Sequence, residues 1–199
     1  MKILFVPKII CKYKNQLEYS VEIKLISFFK KIFKNIEFEF AIGESFLKKK
    51  FDLILLCGGN SIIEKSNKQE DKFRSKLDNK VYNFFFRKKI PIVGICHGAQ
   101  FIAKKYKCLI LNKKGVGDHF IIFKKKFDKN FKKKYMVNSF HDMSIKCENN
   151  LLIEYAHTKD NYLEFYKVKN KEIYGIMWHP ERFKKFKNID KKIFKKICS

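Results

Sequence analysis

Arginine is scarce in this sequence of 199 residues, although its charge is strongly positive. Only Arg74, Arg87 and Arg182 are arginines, yet lysine and arginine together number 45 against 20 acidic residues, which gives a formal net charge of +25. Base-edge and bidentate phosphate contacts in nucleic-acid complexes favour arginine. The lysines therefore indicate a solvated surface rather than a nucleic-acid-binding protein. Their positive field still attracts small anionic substrates, such as nucleotides.

Long apolar segments and export signals are also missing. No run approaches the roughly 18 apolar residues of a membrane-spanning helix. The apolar stretch after Met1 is short and is interrupted by Pro7 and Lys8, which argues against a signal peptide. We therefore expect a cytoplasmic protein that does not bind membranes.

The cysteines and histidines form no metal-binding pattern. The six cysteines, at positions 11, 57, 96, 108, 147 and 198, include no C-x-x-C pair, so neither a zinc ribbon nor a disulfide scaffold is predicted. We expect free thiols in a reducing compartment. No two of the five histidines are four residues apart, the spacing of helical zinc sites. We predict no metal and no cofactor, and a structural role for His119 and His157.

The apolar pattern that is present predicts one α/β domain over residues 1–199. Apolar runs at 3–6, 51–57, 91–95 and 173–178 are typical of parallel strands buried on both faces. Residues 36–40 alternate between apolar and acidic, which predicts a further strand. Helices are predicted at 18–33, 71–86, 99–106 and 190–197. In the second of these helices, Arg74 and Asp78 have the spacing of a surface ion pair.

Shorter segments in the second half predict an antiparallel extension. They lie at 108–111, 118–123, 151–155 and 162–168, and a glycine turn at 115–117 joins the first two. The lysine-rich stretch 124–134 has the composition of a solvated loop, and it is a candidate for a mobile lid. Together the elements predict a three-layer α/β/α sandwich with a mostly parallel central sheet.

One segment combines an apolar strand, two glycines and the start of a helix. Gly94-x-Cys96-x-Gly98 has the spacing of a nucleophile elbow with cysteine in place of serine. The glycines permit a tight strand-to-helix turn, and a helix N-terminus favours a thiolate. A buried structural cysteine is the alternative, but it leaves both glycines unexplained. We predict that Cys96 is a nucleophile.

A histidine and a carboxylate follow the last predicted strand. His179-Pro-Glu181 comes directly after the apolar run 173–178. Sites in parallel sheets lie beyond the carboxyl ends of the strands, so Cys96 and this motif are expected at one edge. His179 is then the base that deprotonates Cys96, and Glu181 orients His179.

Four segments of this chain resemble, in the same order, those of the class I glutamine amidotransferases and their γ-glutamyl hydrolase relatives. They are Cys57-Gly-Gly-Asn60, Gly94-Ile-Cys-His-Gly-Ala-Gln100, Val137-Asn-Ser-Phe-His141 and His179-Pro-Glu181. The resemblance covers most of the chain. It implies a flavodoxin-like α/β/α fold and a catalytic triad of Cys96, His179 and Glu181.

The resemblance also implies roles for the remaining motif residues. The backbone N–H groups of Gly59 and His97 are the expected oxyanion-hole donors. The residues expected to bind the glutamyl part of the substrate are Asn60, Gln100, Asn138, Ser139, Phe140 and His141. Without their neighbours, Gln100 and Asn138 are more simply interpreted as surface residues of a helix and a turn.

Three functions remain open at this point. The first is a stand-alone hydrolase that needs no protein partner and cleaves a γ-glutamyl amide of a small, anionic compound. Within the family the chain most resembles the hydrolases of capsular phosphoramidate biosynthesis, which implies γ-glutamyl-CDP-amidate as substrate. Tyr106-Lys-Cys-Leu109 departs from these relatives, which often have a glycine pair there. The second is a glutaminase subunit that passes ammonia to a separate synthetase, and the third is a basic nucleic-acid-binding protein.

Overall fold

The computed structural model describes residues 1–124, 127–128 and 131–199, without the side chains of 114 and 115. The helices are α1 Ile23–Ile32, α2 Gln69–Phe85, α3 His97–Lys105 and α4 Asn188–Ile197. In chain order the strands are β1 Lys2–Val6, β2 Lys8–Tyr13, β3 Gln16–Ser20, β4 Glu37–Phe40, β5 Leu53–Leu56, β6 Ile92–Ile95, β7 Leu109–Val116, β8 His119–Phe123, β9 Lys134–Val137, β10 Phe140–Lys146, β11 Leu152–His157, β12 Leu163–Val168 and β13 Ile173–Ile176.

The first half of the main sheet is parallel. Strands β4, β1, β5, β6 and β13 lie side by side in that order, and each neighbouring pair is parallel. Every residue of β5, β6 and β13 is buried. Since both faces of these strands are covered, their sequences are continuously apolar. The predicted parallel strands are confirmed.

Helices cover both faces of this half. On one face, Phe28 and Phe29 of α1 make edge contacts with Phe194 of α4 above the sheet. On the other face, Val81 of α2 and Ile102 of α3 belong to a second core. Neighbouring residues of β1 and β5 contribute alternately to the two cores, as the pleat of a strand requires. The predicted α/β/α sandwich is confirmed.

The second half of the sheet is antiparallel, larger than predicted, and divided. β13 pairs with β12, β12 pairs with β11, and this branch continues through β8 to β9. β10 joins β12 through the pair Ile145 and Leu163 and carries β7 on its other side. The sheet therefore forks beside β12 into a β11-β8-β9 branch and a β10-β7 branch. Gly117 and Asp118 connect the two branches, so the turn predicted at 115–117 is displaced: residues 115 and 116 belong to β7.

Residues 18–20 belong to a strand and not to the helix predicted over 18–33. They lie in β3, which forms a separate hairpin with β2, and α1 begins at Ile23. The chain reverses at Asn15, whose φ is 67°, a conformation that asparagine tolerates better than most residues. Strand β10 was also not predicted.

Cys108 and Cys147 form a disulfide, with Cα atoms 4.5 Å apart. They flank the last pair of the β7–β10 ladder, Leu109 with Lys146, and that pairing brings together two cysteines 39 residues apart. The prediction that all the cysteines are free thiols is therefore wrong for this pair. The other four cysteines are free.

No helix in the described part of the chain is long and apolar enough to span a membrane. The lysine-rich stretch 124–134 includes positions 125, 126, 129 and 130, so the predicted lid lies partly outside the described residues. Within that stretch, Phe127 is buried and contacts the rings of Tyr155 and Phe165.

Candidate active site

The turn between β6 and α3 leaves no room for a side chain at two positions. A Cβ atom at Gly94 would lie 2.3 Å from the Gly98 carbonyl carbon, and one at Gly98 would lie 2.3 Å from the Leu56 carbonyl oxygen. Strands β5 and β6 and helix α3 therefore meet backbone to backbone. Cys96, the N-cap of α3, has φ 50° and ψ −102°, a combination that non-glycine residues rarely adopt. The chain thus forms a strained elbow at Cys96.

The loop after β5 lies directly against this elbow. A Cβ atom at Gly58 would lie 2.7 Å from Cε1 of His179 and 3.4 Å from the Cβ of Cys96. Glycine is required here because the backbone passes between both side chains. Gly59 follows with φ +119° and contacts the side chain of Lys8. The ends of β5, β6 and β13 therefore converge on Cys96.

His179 is buried between a thiol and a carboxylate. Its Nδ1 lies 2.6 Å from Oε1 of Glu181, which leaves Nε2 for Cys96. Burial lowers the pKa of His179, but its pairing with Cys96 and with Glu181 outweighs burial and raises that pKa to about 9. An imidazolium beside a cysteine favours the thiolate. The arrangement can therefore hold Cys96 and His179 as an ion pair.

Asn138 holds the backbone of His179 in place. Its Nδ2 donates to the His179 carbonyl oxygen, and its Oδ1 accepts from the His179 N–H, both at 2.8 Å. The sequence suggested that Asn138 contacts substrate, but the structure uses both ends of its amide on the histidine. Next to it, Trp178 Nε1 donates to Asp190 at 2.8 Å and ties α4 to the same strand end.

Cys96 opens into a cavity of about 280 Å³, called the catalytic cavity below. The residues predicted from the sequence that line it are Gly59, Asn60, Cys96, Gln100, Phe140, His141 and His179. Lys8, Ser61, Asp142, Met143 and Arg182 also line it, and sequence reasoning missed them. Two signals could have found part of this set, because Lys8 follows the first strand almost directly and Arg182 is adjacent to Glu181.

Asn60 and Gln100 are fixed at the wall of this cavity. Gln100 Nε2 donates to the Met143 carbonyl at 3.0 Å. The Nδ2 of Asn60 donates to Ile9 and to Asp71, and its Oδ1 accepts from the Ile9 N–H. Asn60 was expected to bind substrate, but one of its amide hydrogens ties the loop after β5 to β2 and the other ties it to α2.

The segment Ser139, Phe140 and His141 separates the catalytic cavity from a second, larger one. The Phe140 ring lies edge-on to His179, with centroids 5.8 Å apart, and 4.8 Å from the Arg182 guanidinium. Ser139 lines the larger cavity, and His141 lines both. The segment expected at the glutamyl group therefore faces two spaces.

Two further histidines were predicted to be structural. His157 Nδ1 lies 2.8 Å from the Thr158 carbonyl oxygen, and this prediction is confirmed. For His119 the structural role stays a prediction: the side chain lines the larger cavity, and its Nε2 faces Oε1 of Glu164 at 3.4 Å. Its Nε2 has no hydrogen-bond partner among the residues that the structure describes.

Comparison with known proteins supplies the family. Residues 8–197 match the family model of glutamine amidotransferase class-I. The chain belongs to the class I glutamine amidotransferase family. The resemblance seen in the four motifs is thereby confirmed, as is the prediction of an enzyme of this type.

Individual relatives of this chain agree with that assignment. The chain is 34% identical over 166 residues to a gamma-glutamyl-CDP-amidate hydrolase of Campylobacter jejuni, with 81% of this chain and 80% of the relative covered. Among solved structures, it is similar to a protein of Thermoplasma acidophilum described as one subunit of a GMP synthase, at TM-score 0.74 and 18% identity, over 100% of this chain and 92% of the other. A glutamine amidotransferase of Thermotoga maritima gives TM-score 0.66 at 18% identity, over 90% and 76%. These structural similarities support the fold.

A buried charged network lies behind the elbow at Cys96. Asp78 accepts from Arg74 Nε at 2.9 Å, and its other oxygen lies 2.8 Å from His97 Nε2. Burial raises the pKa of Asp78, but Arg74 and His97 outweigh it and lower that pKa. The predicted pair of Arg74 and Asp78 therefore exists. It is buried and not on the surface, because this face of α2 packs against α3.

This network connects both predicted oxyanion donors. Arg74 Nη2 donates to the carbonyl of Cys57 at 2.7 Å, directly before the loop that contains Gly59. Through Asp78, the same guanidinium is linked to His97, the residue after Cys96. Arg74 and Asp78 can therefore fix the positions of Gly59 and His97 relative to each other.

Glu22, His179 and Glu181 offer ligand atoms that lie within 4.8 Å of one another, close enough for a metal site. Their charges are already matched within the protein. Arg182 donates to Glu22 through both Nε and Nη2, and Glu181 pairs with His179. We interpret the group as an ion network that supports His179, and the absence of a metal remains a prediction.

Proposed function

We propose that this chain hydrolyses a γ-glutamyl amide through a γ-glutamyl thioester on Cys96 and releases glutamate. The observation that carries the proposal is the buried histidine at the strand end. Its Nδ1 is bound to Glu181, and its pairing with Cys96 and Glu181 raises its pKa to about 9. Such a group can activate a thiol and later protonate a leaving nitrogen.

In the first half of the reaction, the Cys96 thiolate attacks the γ-carbonyl carbon and forms a tetrahedral oxyanion. The backbone N–H groups of Gly59 and His97 are the proposed donors to that oxygen. His97 is the first residue of α3, so its N–H has no acceptor within the helix and the helix dipole favours negative charge there. His179 then gives its proton to the leaving nitrogen as the C–N bond breaks.

In the second half, water hydrolyses the thioester. Neutral His179 takes a proton from water while the water oxygen attacks the thioester carbon. Collapse of this intermediate expels the Cys96 thiolate and releases glutamate. Glu181 stabilises the imidazolium whenever it forms, so the thiolate–imidazolium pair is restored.

The catalytic cavity carries groups suited to the amino-acid end of a γ-glutamyl substrate. Gln100 follows Cys96 by one helical turn and lies at the wall of the cavity. Lys8 and Arg182 supply positive charge for an α-carboxylate, and Asp142 supplies negative charge for an α-ammonium group. The backbone of Ser139 and Phe140 completes the proposed recognition of the glutamyl group.

We further propose that the leaving group is a nucleotide phosphoramidate, released during modification of capsular polysaccharide. The name of the Campylobacter jejuni relative, a gamma-glutamyl-CDP-amidate hydrolase, supports this choice. The formal net charge of +25 agrees with an anionic substrate. On this proposal the enzyme needs neither a protein partner nor nucleic acid.

The experiment is to incubate the purified chain alone with γ-glutamyl-CDP-amidate, a γ-glutamyl anilide and glutamine, and to measure glutamate. Release from the conjugates, with Cys96→Ala inactive, supports the proposal. Equal glutamate release by wild type and Cys96→Ala contradicts it. Hydrolysis of glutamine alone, increased by a synthetase, identifies a glutaminase subunit.

A further inference from the structure

The larger cavity has a volume of about 650 Å³ and lies in the fork of the sheet. His119 and Phe120 of β8 line it on one branch, and His141 and Ser144 of β10 line it on the other. His141 also lines the catalytic cavity of about 280 Å³. The two cavities are therefore direct neighbours, and one side chain belongs to both.

Buried polar atoms without hydrogen-bond partners surround this cavity. Within the described residues, they are Ser139 Oγ, both ring nitrogens of His141, His119 Nε2 and Glu164 Oε2. Unpaired buried polar groups are costly, and native proteins satisfy most of them. Similar atoms occur elsewhere, at Arg74, His97, Glu181 and Asp190. Those beside this cavity lie just behind its surface, so they make the wall polar, and a ligand reaches them where the wall shifts to admit it.

These polar groups differ in chemical kind. His119 Nε2 lies 3.4 Å from Oε1 of the buried Glu164. Burial raises the pKa of Glu164, and the facing carboxyl of Glu164 raises the pKa of His119. Burial, together with the charges of His119 and His179, lowers the pKa of His141 to about 4, so His141 is neutral and offers one donor and one acceptor. The wall therefore suits a ligand with both donors and acceptors, such as a nucleobase.

Lysines and aromatic rings also line the cavity, together with one exposed carboxylate, Asp160, which lies 3.9 Å from Lys113 Nζ. Lys134 Nζ lies 4.1 Å from the centroid of the Phe120 ring, and Lys113 Nζ lies 5.7 Å from that of Tyr162. Lys159 is a third lysine in the lining. Nucleobases stack on aromatic rings, and ammonium groups attract phosphates. The lining thus combines contacts for both parts of a nucleotide.

We propose that the larger cavity binds the nucleoside diphosphate part of the leaving group. The base lies against Phe120 and Tyr162 with its polar edge toward Glu164, and the phosphates lie near His141 and the lysines. Ligand cavities usually span about 300–1,000 Å³, so the catalytic cavity suits the glutamyl group and the larger one a nucleotide. The inference rests on the proposed function and locates its leaving group.

The test is a calorimetric titration of CDP, the nearest stable analogue of the leaving group, into Cys96→Ala protein. We expect saturable binding that Phe120→Ala and Glu164→Gln each weaken by about tenfold or more, a change of 1.4 kcal/mol. Phe120 is 45% exposed, so its truncation leaves the core intact if Glu164→Gln fails to fold. The matched control is Glu154→Gln on β11, where the carboxylate pairs with Lys124 outside the cavity lining.

A kinetic measurement separates this inference from the proposed function. For active enzyme, Phe120→Ala should lower the ratio of kcat/KM for γ-glutamyl-CDP-amidate to that for the anilide by about tenfold. The inference is overturned if CDP does not bind, if pyrophosphate binds as tightly, or if CDP binding is the same in all variants. Variant-sensitive CDP binding by a protein that hydrolyses no γ-glutamyl compound supports the cavity assignment and refutes the proposed function.

Discussion

The catalytic cavity and the larger cavity differ in how their polar side chains are satisfied. Around Cys96, Glu181 binds His179, and Asn138 binds the backbone of His179 on both sides. The backbone at Gly58, Gly94 and Gly98 lies so close to neighbouring atoms that a side chain there would clash. Buried atoms without partners in the described residues occur on both sides, at Glu181 and His97 near Cys96 and at Ser139 and Glu164 near the larger cavity. The two histidines differ more clearly, because His179 is bound through Nδ1 whereas His141 has neither ring nitrogen bonded within the described residues.

The difference follows from what each region has to do. Reaction rates depend on the placement of reacting groups to a fraction of an ångström, so the protein itself must hold the catalytic groups. Groups that recognise a ligand obtain their partners when the ligand binds. On the proposed function, the parallel half of the sheet carries the chemistry, and the forked antiparallel half carries the specificity. Each prediction below perturbs one side of this division.

The largest expected effect comes from Cys96→Ala, which removes the nucleophile from the catalytic side. By analogy with nucleophile deletions in other hydrolases, we expect kcat to fall by about 10⁶-fold for every γ-glutamyl substrate. CDP should still bind, because the larger cavity is unchanged. Cys11→Ala, at an exposed free cysteine, is the matched control and should keep full activity.

Labelling with an electrophilic glutamine analogue checks the same assignment. Mass spectrometry should place the label on Cys96. Burial raises the pKa of Cys57 to about 12, so that thiol is unreactive, and Cys108 is held in the disulfide. A label on Cys57 would falsify the assignment of the nucleophile.

The next effect in size comes from Asp78→Asn, which breaks the network behind the oxyanion donors. Removing one partner of a buried ion pair typically destabilises a protein by about 3–5 kcal/mol, so thermal unfolding should occur at a lower temperature. In the folded protein, we expect kcat to fall by about 10–100-fold, less than the 10²–10³ for loss of a whole donor. KM should change little.

That split between kcat and KM distinguishes a positioning role from a purely structural one. The matched control is Glu64→Gln, which removes the partially exposed pair of Glu64 with Lys104 of α3. Exposed pairs contribute about 0–1 kcal/mol. An Asp78→Asn protein with reduced stability and unchanged kcat would mean that the network only supports the fold.

Glu181→Gln should alter the pH dependence of catalysis rather than binding in either cavity. In the wild type, the pKa of His179 is about 9, so kcat/KM should decline as pH rises through about 9, because the histidine loses the proton that the leaving nitrogen needs. A neutral amide at 181 raises this pKa less. The alkaline decline should therefore move to lower pH, and an unchanged profile would show that Glu181 does not act on His179.

Most of the catalytic side of the molecule could be predicted from the sequence. Parallel strands that are buried on both faces leave continuous apolar runs, and Gly94 and Gly98 are required by backbone contacts that no other residue permits. The convergence of Cys96, His179 and Gly59 followed from their places at strand ends. These signals are local, so a single sequence contains them.

The antiparallel side was harder to predict from the sequence, because its structure depends on pairing between strands that are far apart in the chain. Cys108 and Cys147 meet only because β7 pairs with β10. His119 lines a cavity only because the sheet forks beside β12. That fork depends on pairings between distant strands, so no short sequence segment predicts it. Likewise, the polar sequence of α2 suggested a surface location for Arg74, whereas the packing of α2 against α3 buries it.

The smallest expected effect concerns the lysines around the larger cavity. Electrostatic attraction is screened over about 8 Å at physiological ionic strength and about 3 Å at 1 M. Raising salt should therefore lower kcat/KM for γ-glutamyl-CDP-amidate by roughly threefold or more, with little change in kcat, because long-range attraction of the phosphates weakens. Neutral glutamine should be much less affected.

Gln100→Ala is the complementary variant, since it alters the catalytic cavity and should impair both substrates to the same degree. Equal salt sensitivity of the two substrates would show that Lys113, Lys134 and Lys159 are solvated surface groups with no part in substrate capture.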